Sequence, residues 1–183
     1  MSHRSRPSAP RLEPLDPSSL DDETKKFVPP GALNIFRTLA HHPKLLKRWL
    51  VFGNHVLAKS TLAPRERELV ILRTGWNCGA EYEFGQHTVI GREAGVSDAE
   101  IVALTRPLDS HDWSEGDRAL LRAADELHDD QCVTDETWGE LCGTWNEQQL
   151  LDLVFTVGQY TIVSMALNTC GVELDDGVPG FPS

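Results

Sequence analysis

The sequence predicts an all-α protein, and three observations carry that prediction. Proline and glycine stand at the ends of helix-sized segments, and two four-residue capping signatures open such segments. The β-branched fragments TIV and LVF, which alone suggest strands, lie inside a long apolar run that no turn signal interrupts. The 183 residues suit one domain with one core. Residues 1–30 carry six prolines, too many for regular structure, and are expected to form an arm, loose or laid over a neighbouring subunit. The helical domain is expected over residues 31–183.

In order, GALNIFRTLAHH reads as a short helix stopped before Pro43. Pro43 and Pro64 each suit a first helical turn, where a missing N–H costs nothing, so helices are expected over PKLLKRWLVFGNHVLA and APRERELVILRTGW. A further helix runs from Ala80 to Ala94, with Gly95 placed for a left-handed cap. SDAE at Ser97 and NEQQ at Asn146 have the form of capping boxes. SEGDRALLRAADELHDD spaces Leu120, Leu121, Ala124 and Leu127 at helical period, and DETWGELCGTW follows as another helix. The last segment, EQQLLDLVFTVGQYTIVSMALNTCG, is nearly apolar all round and is expected in the core or a subunit interface.

The net charge of −11 and the lack of clustered Lys and Arg exclude a nucleic-acid surface. No apolar run is read as long enough, at roughly 20 residues, to span a bilayer, so no membrane partner is expected. The start MSHRSRPSAPRLEPLDP has no apolar signal-peptide core. Cys78, Cys132, Cys142 and Cys170 include no C-x-x-C pair, and reduced thiols in a cytoplasmic protein are expected.

The chemistry concentrates in NCGAEYEFGQH. Glu83 and His87 are four residues apart and share one helical face, with Tyr82 on a neighbouring face. Glu68 sits among apolar neighbours in ELVILRTGW, and a short connection makes the two helices antiparallel, so Glu68 can face His87. Two carboxylates around an imidazole in a poorly solvated pocket form a proton donor and acceptor. On spacing alone, the same Glu–His pair also fits a surface contact worth a few tenths of a kcal/mol.

The stretch PRERELVILRTGWNCGAEYEFGQHTVIGREAGVS resembles the core motif of the carboxymuconolactone decarboxylase family, within the alkylhydroperoxidase D-like superfamily. The resemblance extends from HPKLLKRWLVFGNHVLAKSTL through ADELHDD to VGQYTIVSMALNTCGVEL. It implies an all-helical fold assembled into trimers or hexamers. The thiol branch of that superfamily has a glutamate, eleven residues, C-x-x-C, three residues and a histidine. Counted back from His87, the glutamate falls on Glu68, the sulfur positions on Ala80 and Glu83, and a relay histidine on Tyr82. The acid/base frame matches while both sulfurs are missing, so peroxide reduction of the C-x-x-C type is not expected.

The resemblance therefore implies a decarboxylase-like enzyme acting on a small carboxylate or lactone. His87, supported by Glu83 and Glu68, supplies the proton that quenches the carbanion, and Tyr82 orients the substrate or relays the proton. Arg73 is the candidate clamp for a substrate anion and His55 a further pocket residue. No cofactor is expected; the expected partners are a small-molecule substrate and other copies of the chain. Two alternatives stay open: a metal enzyme with Glu68, Glu83 and His87 as ligands, and a non-catalytic oligomeric binding protein.

Overall fold

Residues 6–182 are described by a computed structural model, and among them are helices and no strand. The helices are α1 (Asp22–Lys25), α2 (Asn34–Leu39), α3 (Pro43–Ala58), α4 (Pro64–Asn77), α5 (Glu81–Glu93), α6 (Asp98–Ala103), α7 (Glu115–Asp129), α8 (Asp135–Cys142) and α9 (Glu147–Cys170). The punctuation expected from sequence is in place. Pro43 and Pro64 open α3 and α4, both capping boxes form, and Gly95 and Gly171 take left-handed conformations with φ of 96° and 68°.

Two segments differ from expectation. α2 begins only at Asn34, because its first turn is capped from a distance: Asp175 Oδ1 accepts the Asn34 N–H at 3.0 Å. Residues before 30 also contain regular structure, a turn of 3-10 helix at Pro17–Ser19 and α1, whose Asp21 accepts the Thr24 N–H at 2.9 Å. The described part of the arm lies against its own chain. Arg11 N–H donates to Cys170 O at 2.7 Å, Arg37 Nε to Leu15 O at 2.9 Å, and Arg6 Nη2 to Cys78 O at 2.7 Å.

α4 is the centre of the fold, packed against α5, α7 and α9. Glu68 through Gly75 are all buried on it, an apolar core segment interrupted by charged residues that must find partners inside. α4 and α5 run antiparallel, since Gly75 faces Phe84 near the turn while Gly91 faces Glu68 and Leu72 further along. A Cβ on Gly91 would lie 3.3 Å from Leu72 Cδ1 and 3.7 Å from Glu68 Cβ. That glycine spares the Leu72 side chain the small shift a Cβ would force on it.

α9 crosses α4 and also contacts α3, α5, α7 and α8. It corrects one expectation: with mean hydropathy 1.5 over an 18-residue window, it is long and apolar enough to cross a membrane by length and composition. Half of that window is buried inside the fold, as in a core helix, where apolarity on several sides reflects packing against several neighbours. Beyond α9 the chain doubles back over α5. Phe181 packs edge-on against Trp76 and tilted against Phe84, with ring centroids 5.1 and 5.2 Å apart.

Candidate functional site

Glu68, His87 and Glu83 form a line. Glu68 Oε2 accepts from His87 Nδ1 at 2.6 Å, and His87 Nε2 forms a 3.0 Å ion pair with Glu83 Oε1. All three are buried, Glu68 completely. The i,i+4 spacing on α5 supplies the Glu83–His87 contact, and the antiparallel α4 supplies Glu68. Arg67 completes the row from the outer side, its Nη2 3.0 Å from Glu68 Oε1. The surface-contact alternative for Glu83 and His87 fails on burial alone.

Burial by itself would lower the imidazole's pKa. Interactions with the Glu68 and Glu83 carboxylates, which accept from the imidazolium and carry opposite charge, overcome that and push it up to about 9. At neutral pH His87 is thus an imidazolium, hydrogen-bonded to Glu68 through Nδ1 and ion-paired with Glu83 through Nε2. Glu68 meets one ring nitrogen and Glu83 the other, so the three groups do not converge on one point, and no metal-competent cluster of His, Cys, Asp and Glu occurs among the described residues.

Glu83 and His87 line a cavity of about 130 Å³ enclosed by α2, α3, α5 and α9. Its walls are largely apolar and aromatic, including Phe36, Trp49 and Val163. Tyr160 stands edge-on to His87, with centroids 4.8 Å apart at 84°. Its hydroxyl's pKa is raised well above the usual value by burial and by the nearby Glu83 and Glu68 charges.

Three other sequence candidates are placed differently. Tyr82 lines the same cavity, but its hydroxyl is committed: it donates to Asp175 Oδ2 at 2.5 Å and accepts from the Ile35 N–H at 3.2 Å. It joins α2, α5 and the C-terminal segment and is not placed to relay a proton. Arg73 is not at the cavity. Its Nε and Nη2 grip both oxygens of Asp125 at 2.7 and 2.8 Å, and its Nη1 donates to the carbonyls of Leu104 and Arg106. A buried guanidinium in a bidentate pair is a structural tie between α4 and α7, unavailable to clamp a substrate. His55 is 57% exposed and lies in a separate cleft with Phe52, Leu151 and Phe155, 3.9 Å from Asp152. Sequence reasoning missed Trp49, Gln159 and Tyr160, which all face the cavity. The available signal was the polar Gln159 inside the otherwise apolar VFTVGQY.

Residues 43–126 match the Carboxymuconolactone decarboxylase family. The span takes in α3 through most of α7, and with it Glu68, Glu83 and His87. No curated protein matches the chain in sequence. The fold is that of the alkylhydroperoxidase D group. An alkylhydroperoxidase AhpD core protein from Ralstonia eutropha JMP134, an uncharacterized peroxidase-related protein, superposes with TM-score 0.81 at 19% identity, over 91% of this chain and 93% of its own. A peroxidase-related protein from Silicibacter sp. TM1040 gives 0.80 at 16%, over 96% and 97%. The debrominase Bmp8 in complex with 2,3,4-tribromopyrrole gives 0.74 at 15%, over 90% and 91%. At these identities the likeness establishes the fold alone.

Proposed function

We propose that the protein is an acid/base enzyme that moves a proton on carbon in a small ring or lactone. The observation that carries this reading is the buried Glu68–His87–Glu83 line ending at a small apolar cavity. Glu68 fixes the imidazolium by its Nδ1–H, so Nε2 stays beside Glu83, and both residues line the cavity. Glu83 exchanges a proton with the substrate carbon, and the imidazolium stabilises the charge that develops on the conjugated oxygen. The family matched over residues 43–126 supports the protonation step alone, since quenching an enolate with a proton is what a lactone decarboxylase shares with an isomerase. Bmp8, with the same fold, holds a small ring, which supports that size class here.

The protein in D₂O with unsaturated γ-lactones should show deuterium uptake at the carbon beside the carbonyl, followed by NMR. Glu83→Gln and His87→Gln should each lower that rate by about 10²–10⁴. Exchange that survives both replacements would overturn the reading.

A further inference from the structure

The cavity's charge and two buried polar side chains in its lining that lack a hydrogen bond indicate what it recognises. Its charged lining residues are Glu83 and His87. With Arg67 and Glu68 behind them, two positive groups face two negative ones, and no cation is left over for a substrate anion. Arg73 is spent on Asp125.

Beside this row, α9 contributes Gln159 and Tyr160 to the same lining, and they are 4% and 6% exposed. Neither side chain makes a hydrogen bond among the described residues. Yet neither belongs with Thr156, whose hydroxyl on the same helix is fully buried and has no hydrogen-bond partner. Buried polar side chains without a protein partner are rare in folded proteins and need an explanation. Here both residues line the cavity. The neighbouring Gln86 gives the contrast: it also lines the cavity, but its amide is already donated to Asp175 at 2.8 Å.

We propose that the cavity binds an uncharged planar ring bearing a carbonyl, amide or hydroxyl group, which Gln159 and Tyr160 read from α9 beside the acid/base pair, and that it rejects carboxylates. The proposal rests on the acid/base reading only for its location. Trp49, Phe36 and the Tyr160 ring supply flat apolar walls, and a cavity of about 130 Å³ is of the size that takes a single ring. A neutral polar edge satisfies the amide and the phenol. A carboxylate placed there would lose its hydration, find no cation and face the Glu83 anion. Discrimination built from polar groups that must be paired is strong, because the wrong ligand leaves them unpaired.

The test is equilibrium binding by the intact protein of benzamide, p-cresol, toluene and benzoate at neutral pH, followed by tryptophan fluorescence and NMR. Benzamide and p-cresol should bind, with benzoate at least about tenfold weaker. Gln159→Leu and Tyr160→Phe should each weaken benzamide by about fivefold to tenfold and leave toluene nearly unchanged. Benzoate binding as tightly as benzamide overturns the proposal, as does benzamide binding indifferent to both replacements, or no ring binding at all. If Gln159→Leu fails to fold, the benzamide-to-benzoate ratio of the unaltered protein still decides. Glu83→Gln separates this proposal from the enzymatic one: it should retain benzamide and relax the exclusion of benzoate, whatever happens to turnover.

Discussion

Glu68 Oε2 sits 2.6 Å from His87 Nδ1, with no solvent exposure at the glutamate, and this bond sets the state of the whole site. It fixes which ring nitrogen points inward and which is left for Glu83. Glu68→Gln keeps the shape and an acceptor oxygen while removing the charge. The proton-transfer rate should fall by about 10²-fold or more, with the protein still folded, because Arg67 is 13% exposed and can turn to water. The decisive readout is NMR titration of His87: its pKa should drop in the variant. An unchanged His87 titration would deny Glu68 its role.

The same bond makes stability depend on pH. The folded pKa of His87, about 9, lies above the ordinary 6.5. Below about pH 6.5 both folded and unfolded chains carry the proton, and the contribution is fully present. As pH rises toward 9 the unfolded chain releases a proton that the folded one keeps, so the contribution declines and is lost past 9. Thermal unfolding from pH 6 to 10 should show a falling Tm whose slope is reduced in His87→Gln. Equal slopes in the two proteins would contradict the assignment.

The cysteines should be dispensable. Ala80 and Glu83 stand where a C-x-x-C pair would need sulfurs. Cys78 lies outside the cavity lining, 3.8 Å from His128 Nδ1, and burial pushes its thiol pKa up, away from the reactive thiolate. Hydroperoxide turnover with a thiol reductant should be absent, and Cys78→Ser should leave proton transfer intact. Robust turnover abolished by that replacement would refute both statements.

How much of this was readable in the sequence follows from how local each contact is. The Glu83–His87 pair is four residues long, and Glu68 comes from the adjacent helix, so helical period and one short turn were enough to find the row. Arg73 and Tyr82 look equally functional in one dimension, but their partners are 52 and 93 residues away, Asp125 on α7 and Asp175 past α9. No local pattern announces such a partner, and without it a buried charge reads as available. Gln159 and Tyr160 were hidden for the opposite reason. They lie in an apolar run that reads as core, and only the packing of α9 across α5 turns them toward a cavity.

The C-terminal segment depends on Gly85. A Cβ there would come 2.2 Å from the Pro179 carbonyl oxygen and 3.0 Å from Leu174 and Val178. The first contact is with backbone and cannot be relieved by a rotamer change. Gly85→Ala should therefore lift residues 174–179 off α5 and cost roughly 1–3 kcal/mol. Hydrogen exchange should report the segment loosened, including the Asp175 contacts to Tyr82 and Gln86. A variant as stable and as protected as the unaltered protein would contradict the packing.

Self-association is the last prediction, and α9 offers its surface. Leu151, Phe155, Ile162 and Met165 are each more than half exposed, at 59%, 53%, 60% and 61%. With Gly158 they follow steps of four, three, four and three residues, the period of a seam between packed helices. Gly158 has nothing within 4 Å of where a Cβ would stand, which leaves room for a partner helix to approach. The stripe continues onto α3 through Phe52, edge-on to Phe155 with centroids 6.0 Å apart, and Val51, 70% exposed. Soluble monomers seldom leave so continuous an apolar strip in water. The occupant we propose is the same strip of another copy, giving a trimer or hexamer. Light scattering at micromolar concentration should give a multiple of 20.4 kDa. Ile162→Glu should shift the mass toward one chain without loss of helical signal, since the side chain faces away from its own core. A mass near one chain for the unaltered protein would defeat the prediction, and so would an assembly indifferent to charge at both Phe155 and Ile162.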